Sequence, residues 1–91
     1  MNEFKLDGRV LKTPRIEHIG ACSCCVLYIN VYPATNVKIY CYNKIAEDIC
    51  TELKEGDRCL VKGHIEGFMG DIEADGTNKL ILIADGYNKW E

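Results

Sequence analysis

No stretch of this 91-residue sequence is apolar for the roughly 20 consecutive residues that a membrane-spanning helix needs. Nor does it open on a secretory leader: Glu3, Lys5, Asp7 and Arg9 interrupt the apolar residues near the start. The expected location is therefore the cytoplasm. An excess of positive charge is also missing. Eleven Lys and Arg face 14 Asp and Glu, a net charge of -3 with an isoelectric point near 5.3. That balance disfavours a duplex-DNA binder, which normally carries a strongly basic face. It weighs less against a binder of single strands, where base stacking carries part of the affinity. The motifs of common catalysis are absent as well. There is no Gly-rich phosphate loop, no His-Glu-x-x-His and no Gly-x-Ser-x-Gly. The acidic residues scatter through strand and turn segments, and Glu47 and Asp48 read as solvated charges on a helix surface. No catalytic residue, enzyme activity or cofactor is expected. Repeats, low-complexity tracts and linkers are lacking too, so residues 1–91 are read as one domain.

What is present in unusual amount is cysteine, at positions 22, 24, 25, 41, 50 and 59. In a chain without a secretion signal and with 47% apolar residues these are expected to be reduced thiols acting as small apolar side chains. Cys41, Cys50 and Cys59 fall on apolar faces and are expected to be buried and unpaired. The cluster Cys22-Ser23-Cys24-Cys25 lacks the twice-repeated Cys-x2–4-Cys spacing of zinc sites, and His18 is its only nearby imidazole. No metal site is expected there.

Hydrophobic periodicity divides the rest. Residues 3–12 alternate around Phe4, Leu6 and Val10, with Gly8 marking a bulge or sharp bend. Residues 25–32 (CVLYINVY) are β-branched and aromatic, and Pro33 is expected to end that run. Residues 37–42 (VKIYCY) alternate again. The period then changes: Ile45, Ile49 and Leu53 recur every four residues beside Ala46 and Cys50, which predicts a helix near 44–54. Asn43 is its expected N-cap and Gly56 its stop. Strand character returns over 58–69, with Gly63 as a second bend. Asp75-Gly76 signals a hairpin turn. Residues 79–84 (KLILIA) form a continuous apolar run, which predicts a strand buried on both faces. The order β-β-β-α-β-β, five strands with a helix between the third and fourth, predicts an all-β OB-fold barrel, with Gly8 and Gly63 at its corners.

Several segments resemble one family. Phe4-Lys5-Leu6-Asp7-Gly8-Arg9-Val10, with Pro14 following, resembles the opening strand of bacterial single-stranded DNA-binding proteins (SSB). Tyr42-Asn43-Lys44-Ile45-Ala46-Glu47 resembles that family's junction from third strand to helix. Leu53-Lys54-Glu55-Gly56-Asp57 with Cys59-Leu60-Val61-Lys62-Gly63, and the closing Ile83-Ala84-Asp85, are similar to its later passages. The resemblance covers nearly the whole chain in order. It implies single-stranded DNA as the ligand, in replication, recombination or repair, and a homo-oligomer, dimer or tetramer, as the assembly. The departures are a chain that stops at Glu91 without the family's extension and acidic tip, a short connection at Pro33–Asn36, and glutamates at positions 3 and 66 where the family has Lys and Arg. The resemblance is thus to a short form of the family. The lost cations weigh against DNA affinity and leave the fold unaffected.

Strand alternation sorts the binding face. Leu27, Ile29 and Val31, with Val37, Ile39 and Cys41, belong inside the barrel. Tyr28, Asn30 and Tyr32, with Lys38, Tyr40 and Tyr42, are left on the outside as an aromatic platform with a cation. OB folds hold single strands on this face, and each base stacked contributes roughly 1–3 kcal/mol. Lys62, His64 and Phe68 alternate onto the neighbouring strand and extend the expected groove. Two other readings use the same residues, and a third uses the cysteines. The tyrosine face could meet a protein partner, which the acidic balance favours, or it could bind RNA. The cysteines could build a metal or redox site.

Overall fold

The computed structural model describes residues 1–32 and 34–90, apart from the side chains of residues 69 and 71. Pro33 lies outside the described residues, and with it the expectation that it ends the second run; so does Glu91. In chain order the elements are β1 (Phe4–Val10), β2 (Glu17–Ile19), β3 (Cys22–Val31), β4 (Thr35–Tyr42), α1 (Asn43–Glu52), β5 (Arg58–Ile72) and β6 (Asn78–Lys89). Five of the six strands close a ring in the order β1-β5-β6-β4-β3, and β1 seals it by pairing with β3 as well as β5. This is the predicted OB-fold barrel with its helix between the third and fourth barrel strands. The sixth strand, β2, was not foreseen. It is three exposed residues pairing with the start of β3, so β3 begins at Cys22 rather than at residue 25. Glu17-His18-Ile19 is too short, and too polar, to show a period of its own.

β1, β3, β4 and the first part of β5 bury alternate residues, whereas Ala84 is the one buried residue of β6. Leu27, Ile29, Ile39, Cys41 and Val61 are fully buried, with Val10, Cys25, Cys59 and Ala84 beside them. Three of the six cysteines therefore act as small core side chains, and all six are free thiols. Cys50 differs from the expectation: it is only half-buried, because it lies at the edge of the helical stripe. Ile45, also in that stripe, is likewise only half-buried. Ala46, Ile49 and Leu53 are fully buried beneath α1, where the helix plugs one end of the barrel.

The helix ends differ from the expectation in detail. Asn43 is not the N-cap. Tyr42 holds that position in extended conformation without a side-chain cap, and Asn43 is the first helical residue with φ 55°. Asparagine is among the few non-glycine residues that tolerate this left-handed backbone. At the other end Leu53 is the C-cap, its amide donating to Ile49 O at 2.9 Å. Gly56 (φ 89°) lies three residues beyond, in a turn tied to β1 by Gly56 N–H to Val10 O at 2.8 Å.

The predicted bends have a steric cause. A Cβ on Gly8 would lie 2.5 Å from the Asn30 carbonyl oxygen, and one on Gly63 would lie 1.9 Å from the Ile83 oxygen and 2.7 Å from the Phe4 ring. Both glycines sit where β1 or β5 is crossed closely by a neighbour, and the β5–β6 register shifts between Lys62 and Gly63. At the far end of this pair Gly76 (φ 90°) makes the hairpin turn, and Asp75 accepts from the Thr77 amide and hydroxyl. Residues 79–84 are not buried on both faces. Leu80 is 66% exposed, and Ile81, Leu82 and Ile83 are half-buried, because the β5–β6 hairpin projects past the barrel and no other element among the described residues packs on its outer part.

Candidate nucleic-acid interface

Residues directly opposed across a sheet share a face. Outside the barrel, β3 and β4 oppose Cys24 to Tyr42, Val26 to Tyr40, Tyr28 to Lys38 and Asn30 to Asn36. Tyr40 is level with Ile83 of β6, and Ile83 opposes His64 of β5. One row across four strands thus reads Val26, Tyr40, Ile83, His64, with Tyr28 and Lys38 on the next. Tyr28 and Tyr40 are half-buried, Lys38 is exposed, and Tyr42 is 42% exposed at the helix end of the face.

A groove of about 490 Å³ opens beside this row. β4 and β6 pair only through Ile39–Leu82 and Tyr40–Ile83 and then diverge, which leaves the hairpin standing away from the start of β4. Lys38 and Tyr40 line one wall, and Phe68, Lys79 and Leu80 line the other. Phe68, half exposed, thereby joins Lys38 and Tyr40 as the sequence reading expects.

Two cations that the strand pattern did not single out complete the face. Leu11 N–H donates to Tyr28 O at 2.9 Å and folds the segment after β1 over β3. Lys12 then places its ammonium 4.2 Å from the centre of the Tyr28 ring, a cation–π contact. Arg15 lines the same depression, about 350 Å³, with Tyr28 and Val26. The signal was the pair of cations on either side of Pro14, itself buried; a loop has no period to say which face it covers.

The opposite end of the face is acidic. His64 lies with Nδ1 2.9 Å from Asp85 and Nε2 2.6 Å from Glu66. Asp85 first and Glu66 second raise the imidazole's pKa above its ordinary value. The side chain already lies between two carboxylates, so its charge is shared with them. Burial, with Glu66 among several nearby groups, also raises the Tyr42 phenol.

Not every expected residue meets this groove. Lys62 stands beyond the Gly63 bulge, opposite Lys5, in a separate depression with Glu3 and Asp85. Asn30 and the 89%-exposed Tyr32 line another, beside Arg9 and Arg58. The cysteine cluster is split by alternation. Cys22 opposes Ile19, Cys24 opposes Tyr42 outside, and Cys25 faces Cys41 in the core. Among the described residues no three His, Cys, Asp or Glu are placed to hold a metal ion, and no helix is long and apolar enough to cross a membrane.

A closed five-stranded barrel with a helical plug and an aromatic, cation-flanked outer face is the build of an OB-fold binding domain. Comparison with solved structures makes this more specific. The SSB domain of a Synechococcus sp. protein matches with a TM-score of 0.76 at 12% identity, over 96% of this chain and 93% of that one. The wild-type single-stranded DNA binding protein from Thermus aquaticus matches with a TM-score of 0.80 at 13% identity, over 100% of this chain and 50% of that one. A deletion mutant of the Thermus aquaticus protein gives 0.78 at 13% identity, covering 100% and 51%. The chain spans about half the length of the Thermus proteins. No family model and no curated protein matches the sequence. At these identities the likeness establishes the fold: the barrel is the one found in single-stranded DNA-binding domains.

Proposed function

We propose that this protein is a non-catalytic, SSB-like OB domain that holds single-stranded DNA on the β3–β4 face, in replication, recombination or repair. The observation that carries the reading is the outer face itself: Tyr28 and Tyr40 side by side with Lys38, beside an open groove and flanked by Lys12 and Arg15. Every base has a π-face, so two or three aromatic rings hold a strand without reading its sequence, and the cations neutralise phosphates. The fold shared with proteins named for single-stranded DNA binding supports the same conclusion. A cytoplasmic location and self-association into a homo-oligomer belong to this proposal.

The test is a titration with oligo-dT. Tyr40→Ala is expected to weaken binding by roughly 1–3 kcal/mol with little effect on folding. Lys38→Ala removes a phosphate contact, so the dependence of log K on log salt should flatten by about one unit. A second reading, a protein-interaction module, is favoured by the apolar residues exposed on the hairpin, Phe68, Ile72 and Leu80, and by the acidic balance. No measurable oligo-dT binding at low salt would replace the first reading with the second.

A further inference from the structure

The outer residues of β3 do not stop at Tyr28. Asn30 and then Tyr32 follow on the same face, and they lead out of the groove into a second depression of about 400 Å³. There β1 lies between β3 and β5, and register places Asn30, Arg9 and Arg58 in one row: Arg9 opposes Asn30 on one side and Arg58 on the other. Gly8 permits the close crossing, since a Cβ there would meet the Asn30 carbonyl. Two exposed aromatic rings flank the row, Tyr32 at the end of β3 and Trp90, whose amide donates to Arg58 O at 2.9 Å.

The two arginines differ in what they are free to do. Arg58 grips Asp7 with both ends of its fork, Nε to Oδ1 at 3.1 Å and Nη2 to Oδ2 at 2.8 Å, and its guanidinium stacks 5.2 Å from the Trp90 ring. The Asp7 charge is thereby neutralised. Arg9 donates only to the Gly56 carbonyl, at 3.1 Å, and pairs with no carboxylate among the described residues. The patch thus presents one cation available to an anion, an arginine–indole stack and an exposed tyrosine.

Charge sets the direction a strand would take from the tyrosine face. Past His64 it would meet Glu66 and Asp85; at Tyr28 it meets Lys12, and beyond Tyr28, level with Asn30, it meets Arg9. We propose that the single strand held at Tyr28 and Tyr40 continues along β3 onto this patch, where Arg9 takes a backbone phosphate and Tyr32 and Trp90 take bases. The proposal rests on the single-strand reading above and adds a second contact region and a longer site.

Trp90 is the only tryptophan, so its fluorescence reports on the patch alone. Two oligo-dT probes separate the regions: one of about six nucleotides, enough for the tyrosine face, and one of about sixteen, near the upper end of OB-fold site sizes. The longer probe is expected to change Trp90 emission. Arg9→Gln should weaken it about tenfold, as for loss of one charge-assisted hydrogen bond, and leave the shorter probe unaffected. Arg9→Glu should act in the same sense and more strongly; the conservative glutamine variant guards against loss of folding, checked by thermal melting. If wild type binds both probes, Trp90 stays silent and Arg9→Gln binds the longer one unchanged, this proposal is overturned and the tyrosine-face reading stands. If wild type binds neither probe, both fall.

Discussion

At the scale of single residues, the side chain whose ionisation the fold changes most usefully is His64. Its two ring nitrogens face Asp85 and Glu66, and both carboxylates favour the imidazolium, so the folded-state pKa is raised above the ordinary value near 6.5. A group raised on folding stabilises the native state fully below its unfolded pKa, and that contribution is lost as pH rises through the higher folded one. His64→Gln is therefore expected to lower the melting temperature relative to wild type at pH 6, with the gap closing by pH 9. Melting curves at the two pH values check this; a gap that is constant with pH would show that the pair of contacts does not titrate. None of this was legible in the sequence. His64, Glu66 and Asp85 are spread over two strands, and only the register at the bulge, His64 against Ile83 and Lys62 against Gly86, brings Asp85 to the imidazole. The thiols show the reverse case. Their spacing already placed Cys41 and Cys59 inside, and burial pushes Cys59 up to about 11, an unreactive thiol.

Among the elements, β5 does most to shape the molecule. It runs from Arg58 to Ile72, pairs with β1 over its first part and with β6 along its length, and has to turn the barrel's corner between the two. Gly63 is where it turns. Gly63→Ala would drive a methyl group into the Ile83 carbonyl and the Phe4 ring, with backbone on one side and a packed ring on the other. Such overpacking is expected to cost about 3 kcal/mol or more, a fall in melting temperature on the order of 10 °C or more. Gly86→Ala is the control. Its new Cβ would come no closer than 3.5 Å to the flexible Lys62 side chain and should change little. Equal effects of the two variants would show that the corner is not sterically closed. Both bends were readable from the sequence, because a glycine interrupting an alternating strand has few other reasons to be there. The fate of the final strand was not: an apolar run has the same composition whether a neighbour covers it or not.

For the molecule as a whole, two quantities pull in different directions. The net charge of -3 means that few phosphates can be neutralised at once, so oligo-dT affinity should depend only shallowly on salt. The hairpin, meanwhile, exposes Phe68, Ile72 and Leu80 outside the barrel, the kind of apolar surface that marks an interaction site. Sedimentation at high protein concentration is expected to give a mass above the monomer. A clean monomer there would remove self-association from the proposed function and leave the barrel as it is.

The sequence by itself determined the barrel's parts: which runs alternate, where the period changes to that of a helix, which glycines permit close crossing, and which face of each strand carries tyrosine. These are local properties, set by side-chain period and backbone sterics, and each can be read within about ten residues. Tertiary structure decided what lies beside what. It laid the 11–16 segment over Tyr28, put His64 between two carboxylates, carried Lys62 round the corner from Tyr40, and lined Arg9 up with Arg58 across β1. Register and closure are relations between strands far apart in the chain. A shift of a single residue moves every side chain to the other face, so no local pattern carries that information, and only the closed ring supplies it.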